Sequence, residues 1–221
     1  MGTSIKRSVG IRVACAIAAI LIFSGMTTMN ILRIEGTQDD SVRASSMLDQ
    51  IQRAEVAHYK WAANLSNALY AGTEFTGSMD HTGCVLGQWL YSELNLTDSQ
   101  IESLRTQIEP LHKELHASAG TALGLYANSR TTAQQYYQET IQNNLTTLVG
   151  LLDKVVDRGT ALSTEYTATM NGTIAFMHLS TVICLVLALI GITSLVVYFL
   201  QCVVKPLVQI THRAQPLQEG R

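Results

Sequence analysis

The sequence predicts an all-α protein, an antiparallel four-helix bundle set between two transmembrane helices. Three observations predict it. Two long apolar runs flank the chain, apolar residues between them recur at alternating steps of three and four, and only 3 prolines interrupt 221 residues.

The first run, VACAIAAILIFSGMTTMNIL from Val13 to Leu32, is close to the roughly 20 residues that cross a bilayer. The second, Leu179 to Val204, carries no charge. A signal peptide would share the basic start at Lys6, Arg7 and Arg12, but the apolar run is long for one and no small-x-small cleavage site follows. Orientation follows from charge. Those three cations precede the first span, and Lys205 and Arg213 follow the second, so both ends read as cytoplasmic. The expected organisation is a cytoplasmic start (1–12), a first span (13–32), an extracytoplasmic sensor bundle (33–178), a second span (179–204) and a linker start (205–221).

Charge narrows the function classes. The chain is −2 overall, but residues 33–178 hold 16 acidic and 9 basic side chains, which argues against nucleic acid as a partner. Of the 4 cysteines, Cys15 and Cys184 fall inside the spans and Cys202 at the inner end of the second. Cys84 stands alone in the outer region, so no disulfide framework is expected and metal ligation would account for the thiol. The alternative is a small buried side chain.

The elements follow in order. From Ile34 a helix continues, with Leu48, Ile51, Glu55, His58, Ala62, Leu65 and Leu69 on one seam, and ends near Ala71-Gly72. Residues 72–83, with three glycines among small polar residues, form a loop, and a short helix is expected from Val85 to Glu93. Thr97 to Gln100 reads as a capping box opening the next helix. Pro110 removes a backbone donor in that helix and predicts a kink just ahead of His112. The helix runs to about Tyr126, with a turn at Asn128-Ser129. A long fourth helix then places Ile141, Leu145, Leu148, Leu152, Val155, Leu162, Tyr166 and Thr169 on a near-heptad seam and runs into the second span without a proline.

Four side chains stand out as donors to one metal ion: His58, Cys84, His112 and His116. His112 and His116, at i and i+4, share a helix face, His58 lies on the core seam, and the Cys84 segment could close the fourth side. Three nitrogens and one sulfur suit tetrahedral zinc. His81 is a substitute donor, and Asp80 is read as orienting a liganding histidine.

The stretches HYKWAANLSNAL, DHTGCVLGQWLY and LHKELHASA resemble the chemoreceptor zinc-binding domain of bacterial chemotaxis receptors and diguanylate cyclases, over about residues 55–127. The resemblance implies zinc on His58, Cys84, His112 and His116, aromatic positions at Trp61 and Trp89, and a family glycine at Gly87. It also implies a sensor of zinc or of oxidants such as hypochlorous acid, a homodimer, and chemotaxis signalling partners. That family's domain is usually cytosolic, whereas this one lies between two spans. VVKPLVQITHRAQPLQEG resembles the start of a HAMP linker, with Pro206 after the span; a fragment of a longer receptor, or output through another protein, would follow. In a bacterial inner membrane the four Asn-x-Ser/Thr sequons are coincidental.

The motifs admit two other readings. The run HKELH lacks the Glu directly after the first His that a zinc hydrolase needs, so no enzyme activity is expected. Glu55-x-x-His58 and Glu109-x-x-His112 match half of a di-iron bundle site, which would also need Glu93 and Glu139 or Glu165. A third reading keeps zinc as a permanent staple and places small-molecule sensing between the bundle helices.

Overall fold

A computed structural model describes residues 5–93 and 98–209. Every regular element among them is helical: α1 (Ile5–Ala71), α2 (Val85–Tyr91), α3 (Ser99–Asn128), α4 (Arg130–Tyr136), a π-helical turn (Tyr137–Ile141), α5 (Gln142–Phe199) and a second π-helical turn (Leu200–Val204). The chain divides into two units, Thr37–Thr169 and the pair Met1–Gly36 with Met170–Arg221.

In the 37–169 unit one apolar core is shared by all the major helices. Ile51, Leu65 and Leu69 of α1, Leu86 of α2, Ile101, Ile108 and Leu115 of α3, and Leu148 and Leu152 of α5 are fully buried within it. The α1 seam holds at Ile51, His58, Ala62, Leu65 and Leu69, while Leu48 and Glu55 are half-buried and Ala44, Met47, Ala54 and Trp61 widen the stripe. The expected fourth-helix seam is buried at Ile141 in the π-helical turn and at Leu145, Leu148, Leu152, Val155 and Leu162 of α5, while Tyr166 is half-buried and Thr169 is exposed.

Local chemistry ends each element. Gly72 closes α1 with φ +72°, the left-handed conformation that glycine adopts freely, and its N–H donates to the Ala68 carbonyl. Residues 72–84 are non-helical, as expected, and α2 stops at Tyr91, two residues short of the predicted end. The cap of α3 differs from expectation. Thr97 lies outside the described residues, and Asp98 is the cap, its carboxylate accepting from the N–H groups of Gln100 and Ile101. A charged oxygen is a strong acceptor at a helix N-terminus, which suits Asp98 to the role. Pro110 does not end α3, which continues through it to Asn128.

Ser129 alone joins α3 to α4. Its N–H donates to the Leu125 carbonyl and its hydroxyl accepts from the Thr132 N–H. The π-helical turn after α4 admits an extra residue and carries buried Tyr137, whose hydroxyl donates to the Ala62 carbonyl at 2.9 Å. Gln134 donates to the Leu69 carbonyl, and Arg130 to the Leu69 and Tyr70 carbonyls, so the end of α1 is tied to this corner.

In the other unit, both expected spans lie within helices long and apolar enough to cross a membrane, and the apolar windows have no buried residue. Ile20, Leu21 and Ile22 of α1 and Leu187, Leu189 and Ile190 of α5 are exposed. Arg12 donates to the Ser194 hydroxyl at 3.0 Å and stacks 4.6 Å from the Tyr198 ring centroid. The start of the first apolar run thus lies beside the end of the second. Of the linker, residues 205–209 are helical, and 210–221 lie outside the described residues.

Candidate metal centre

Helix α1 presents His58 from the core seam, α3 presents His112 and His116 one turn apart, and the loop before α2 delivers Cys84. One ligand atom from each converges, all four within 4.8 Å of one another. The Nε2 atoms of His58 and His116 are 3.3 Å apart, and Cys84 Sγ lies 3.2 Å from His112 Nε2 and 4.0 Å from His58 Nε2. Ordinary zinc bond lengths give tetrahedral edges of about 3.3 Å between nitrogens and about 3.6 Å between nitrogen and sulfur. The donor set therefore fits a zinc ion in both chemistry and spacing.

Hydrogen bonds select the outward nitrogens. His58 Nδ1 lies 2.6 Å from the Ala54 carbonyl, one turn back on α1, and His116 Nδ1 lies 2.9 Å from the Ser78 carbonyl. A carbonyl only accepts, so each Nδ1 carries the proton and each Nε2 keeps a lone pair for a metal. Ser78 also accepts from the Trp61 indole at 2.8 Å, and the Trp61 ring lies 5.3 Å from that of His116. His112 Nδ1 is buried and finds no partner among the described residues.

Burial sets the protonation states. Loss of solvent lowers the His112 pKa to about 3 and that of His116 to about 4, and it lowers His58 as well, against the Ala54 bond. The imidazoles are thereby held neutral, as ligation requires. Burial raises the Cys84 thiol, outweighing the N–H groups of Gly87 and Leu86 that lower it. A cation in the cluster supplies what those N–H groups do not, a charge that draws off the thiol proton.

The Cys84 segment is fixed by its neighbours. Cys84 has extended backbone and caps α2, its sulfur accepting from the Gly87 N–H at 3.3 Å. A Cβ on Gly87 would sit 2.1 Å from the His81 carbonyl oxygen and 2.6 Å from that of Thr82, so only glycine lets α2 pack onto this loop. Asp80 takes a different role from the expected one. Its carboxylate accepts from the Thr82 N–H and hydroxyl at 2.8 and 2.7 Å, shaping the turn rather than orienting a histidine.

The rival motifs lose their support in the geometry. The cluster contains no carboxylate, Glu109, Glu139 and Glu165 are exposed, and Glu55 is only half-buried, so the di-iron arrangement does not form among the described residues. Glu109 instead acts on the Tyr91 hydroxyl, whose pKa rises through burial and through this nearby carboxylate. Glu114 is exposed, away from the histidine face. His81 stands beside the cluster but outside the converging four. Sequence reasoning did not find the Ser78 carbonyl or its sharing by Trp61 and His116. The Ala54 contact was implicit in the helix, which puts the i−4 carbonyl beside His58.

Residues 58–123 match the family model of the chemoreceptor zinc-binding domain. No curated protein and no solved structure matches the chain. The domain match and the cluster of three imidazoles and one thiol together make this a helical domain that binds zinc.

Proposed function

We propose that this chain is the sensory and membrane portion of a chemoreceptor-like protein of a bacterial inner membrane. In this reading the 37–169 unit works as an antiparallel four-helix bundle outside the membrane, between spans at 13–32 and 179–204. His58, Cys84, His112 and His116 hold the zinc ion. Bound zinc keeps the Cys84 sulfur a thiolate at neutral pH.

One observation carries the sensing role: Cys84 is half-buried, whereas His58, His112 and His116 are buried. Solution therefore reaches the cluster at its one oxidisable donor. An oxidant such as hypochlorous acid would attack there, and loss of the sulfur as a ligand would remove the link between the metal and the segment that caps α2. Displacement of zinc would act on the same segment. The Arg12–Ser194 contact supports placing both termini on one side of the membrane. Helix α5 belongs to the bundle and also holds most of the second span, which suits it to pass a small shift inward to the HAMP-like linker of a homodimer. Chemotaxis signalling proteins would read the output.

The test is zinc content by elemental mass spectrometry on the full chain in detergent, before and after hypochlorous acid. Proximity of the 205–209 segments in a dimer is followed by cross-linking. One zinc per chain and an oxidant-dependent change in cross-linking, absent in Cys84→Ser, are expected. Stoichiometric zinc with no change in cross-linking after oxidant or chelator would leave zinc a staple and reject the sensing role.

A further inference from the structure

We propose that His81 is a reserve donor, taking the fourth position at the zinc site when the Cys84 sulfur leaves. The inference rests on the zinc reading above.

Four imidazoles crowd this end of the domain. The rings of His58, His112 and His116 lie 4.7 to 5.5 Å apart, centroid to centroid. The His81 ring is only slightly more distant, 6.3 Å from His112, yet it is not one of the converging four. The Tyr91 ring also lies near it, at 6.0 Å, and no hydrogen bond to its ring nitrogens is found among the described residues. The side chain is half-buried, so part of it meets solution.

The backbone at His81, by contrast, is held. Its carbonyl packs against Gly87 and accepts from Cys84 Sγ at 3.7 Å, and the adjoining turn is tied by Asp80 to Thr82. Most of these restraints do not involve the sulfur, so the His81 Cα stays beside the cluster after Sγ has gone. Rotation about two side-chain bonds then exchanges the Tyr91 contact for the vacated position. Zinc accepts nitrogen as readily as sulfur and imposes no geometry of its own. Exchange of a thiolate for a neutral imidazole raises the charge of the site by one unit. It also takes the His81 ring from Tyr91, whose hydroxyl feels the Glu109 carboxylate of α3. Departure of the sulfur would thus alter the α2–α3 contact while the metal is retained.

The experiment is chelator-competition measurement of zinc affinity on the full chain in detergent, for wild type, His81→Phe, Cys84→Ser and the double variant. Phenylalanine keeps the ring against Tyr91, and serine keeps the α2 cap. The expected result is unchanged affinity in His81→Phe, about a tenfold loss in Cys84→Ser and a further loss of about a hundredfold in the double variant. X-ray absorption of zinc-loaded Cys84→Ser should show four imidazoles. Equal affinity of Cys84→Ser and the double variant, or three imidazoles in the spectrum, overturns the reserve role and leaves the resident site intact. Wild type without zinc overturns the resident site, and the reserve role with it. If Cys84→Ser loses its helical circular dichroism, folded wild type and His81→Phe are both alkylated with iodoacetamide. Equal zinc retention by the two would then reject the proposal.

Discussion

Trp61 and His116 meet at one atom: the indole N–H and imidazole Nδ1 both lie within 3 Å of the Ser78 carbonyl oxygen, at 2.8 and 2.9 Å. Trp61 comes from α1, His116 from α3 and Ser78 from the loop between α1 and α2, so this carbonyl ties three segments at the metal cluster. Outer hydrogen bonds of this kind fix a ligating ring and its tautomer. Trp61→Phe removes one donor and much of the ring face against His116. We expect zinc affinity to fall by about tenfold, the lower end of such effects, with helical content unchanged. Chelator competition and circular dichroism check both halves.

The donor set itself has a spectroscopic signature. Cobalt in a tetrahedral site with one thiolate gives strong visible bands and a sulfur-to-metal charge-transfer band in the near ultraviolet. Both are expected when cobalt is titrated into the metal-free chain. Cys84→Ser should lose the charge-transfer band, and His112→Ala should weaken cobalt binding by about a hundredfold or more. A charge-transfer band that survived Cys84→Ser would assign the sulfur to another cysteine.

The four converging side chains are legible because each obeys a local rule. His112 and His116 declare themselves by spacing, His58 by its place on an apolar seam, and Cys84 by its isolation among residues 33–178. The features that escaped reading depend on loop backbone, which has no periodicity. The Ser78 carbonyl belongs to a residue whose side chain gives no sign of the role, and Asp80, expected to orient a histidine, closes its short side chain on Thr82 instead. The π-helical turn at Tyr137–Ile141 was invisible for a related reason. It carries the buried Tyr137, whose hydroxyl donates to the Ala62 carbonyl 75 residues away, a contact that local periodicity does not encode.

Gly87 shows how one glycine can serve a metal site that it does not touch. Alanine there would force its methyl against two backbone carbonyls, those of His81 and Thr82, neither of which can rotate away. The α2 segment must back off from the loop, and Cys84, three residues before, moves with it. Gly87→Ala should destabilise the domain by about 1 to 3 kcal/mol, as overpacking does, and should lower zinc affinity together with stability. Gly124→Ala, where a Cβ meets nothing within 4 Å, is the control and should be neutral or slightly stabilising. Thermal melts with and without zinc distinguish the two.

Asp98 links acid stability to the packing of α3 on α5. Its carboxylate caps α3 and receives the Arg158 guanidinium at 2.6 and 3.1 Å, with the aspartate side chain only 10% exposed. The Arg158 hydrogen bond, followed by the Ile101 and Gln100 N–H groups, holds the Asp98 carboxyl below its usual range, although burial pulls the other way. A folded-state pKa below the unfolded value of about 3.9 gives a contribution fully present above about pH 4. As the pH falls through the folded-state pKa, that contribution is lost. Asp98→Asn keeps a side-chain acceptor for the cap but discards the charge, so at pH 7 it should melt below wild type, and Asp98→Ala lower still by about 1 kcal/mol. Metal-free protein is the sample for this comparison, since zinc release in acid would otherwise add its own pH dependence. The gap between wild type and Asp98→Asn should shrink as the pH is lowered from 5 toward 3; a gap that widened in acid would reverse the assigned sign.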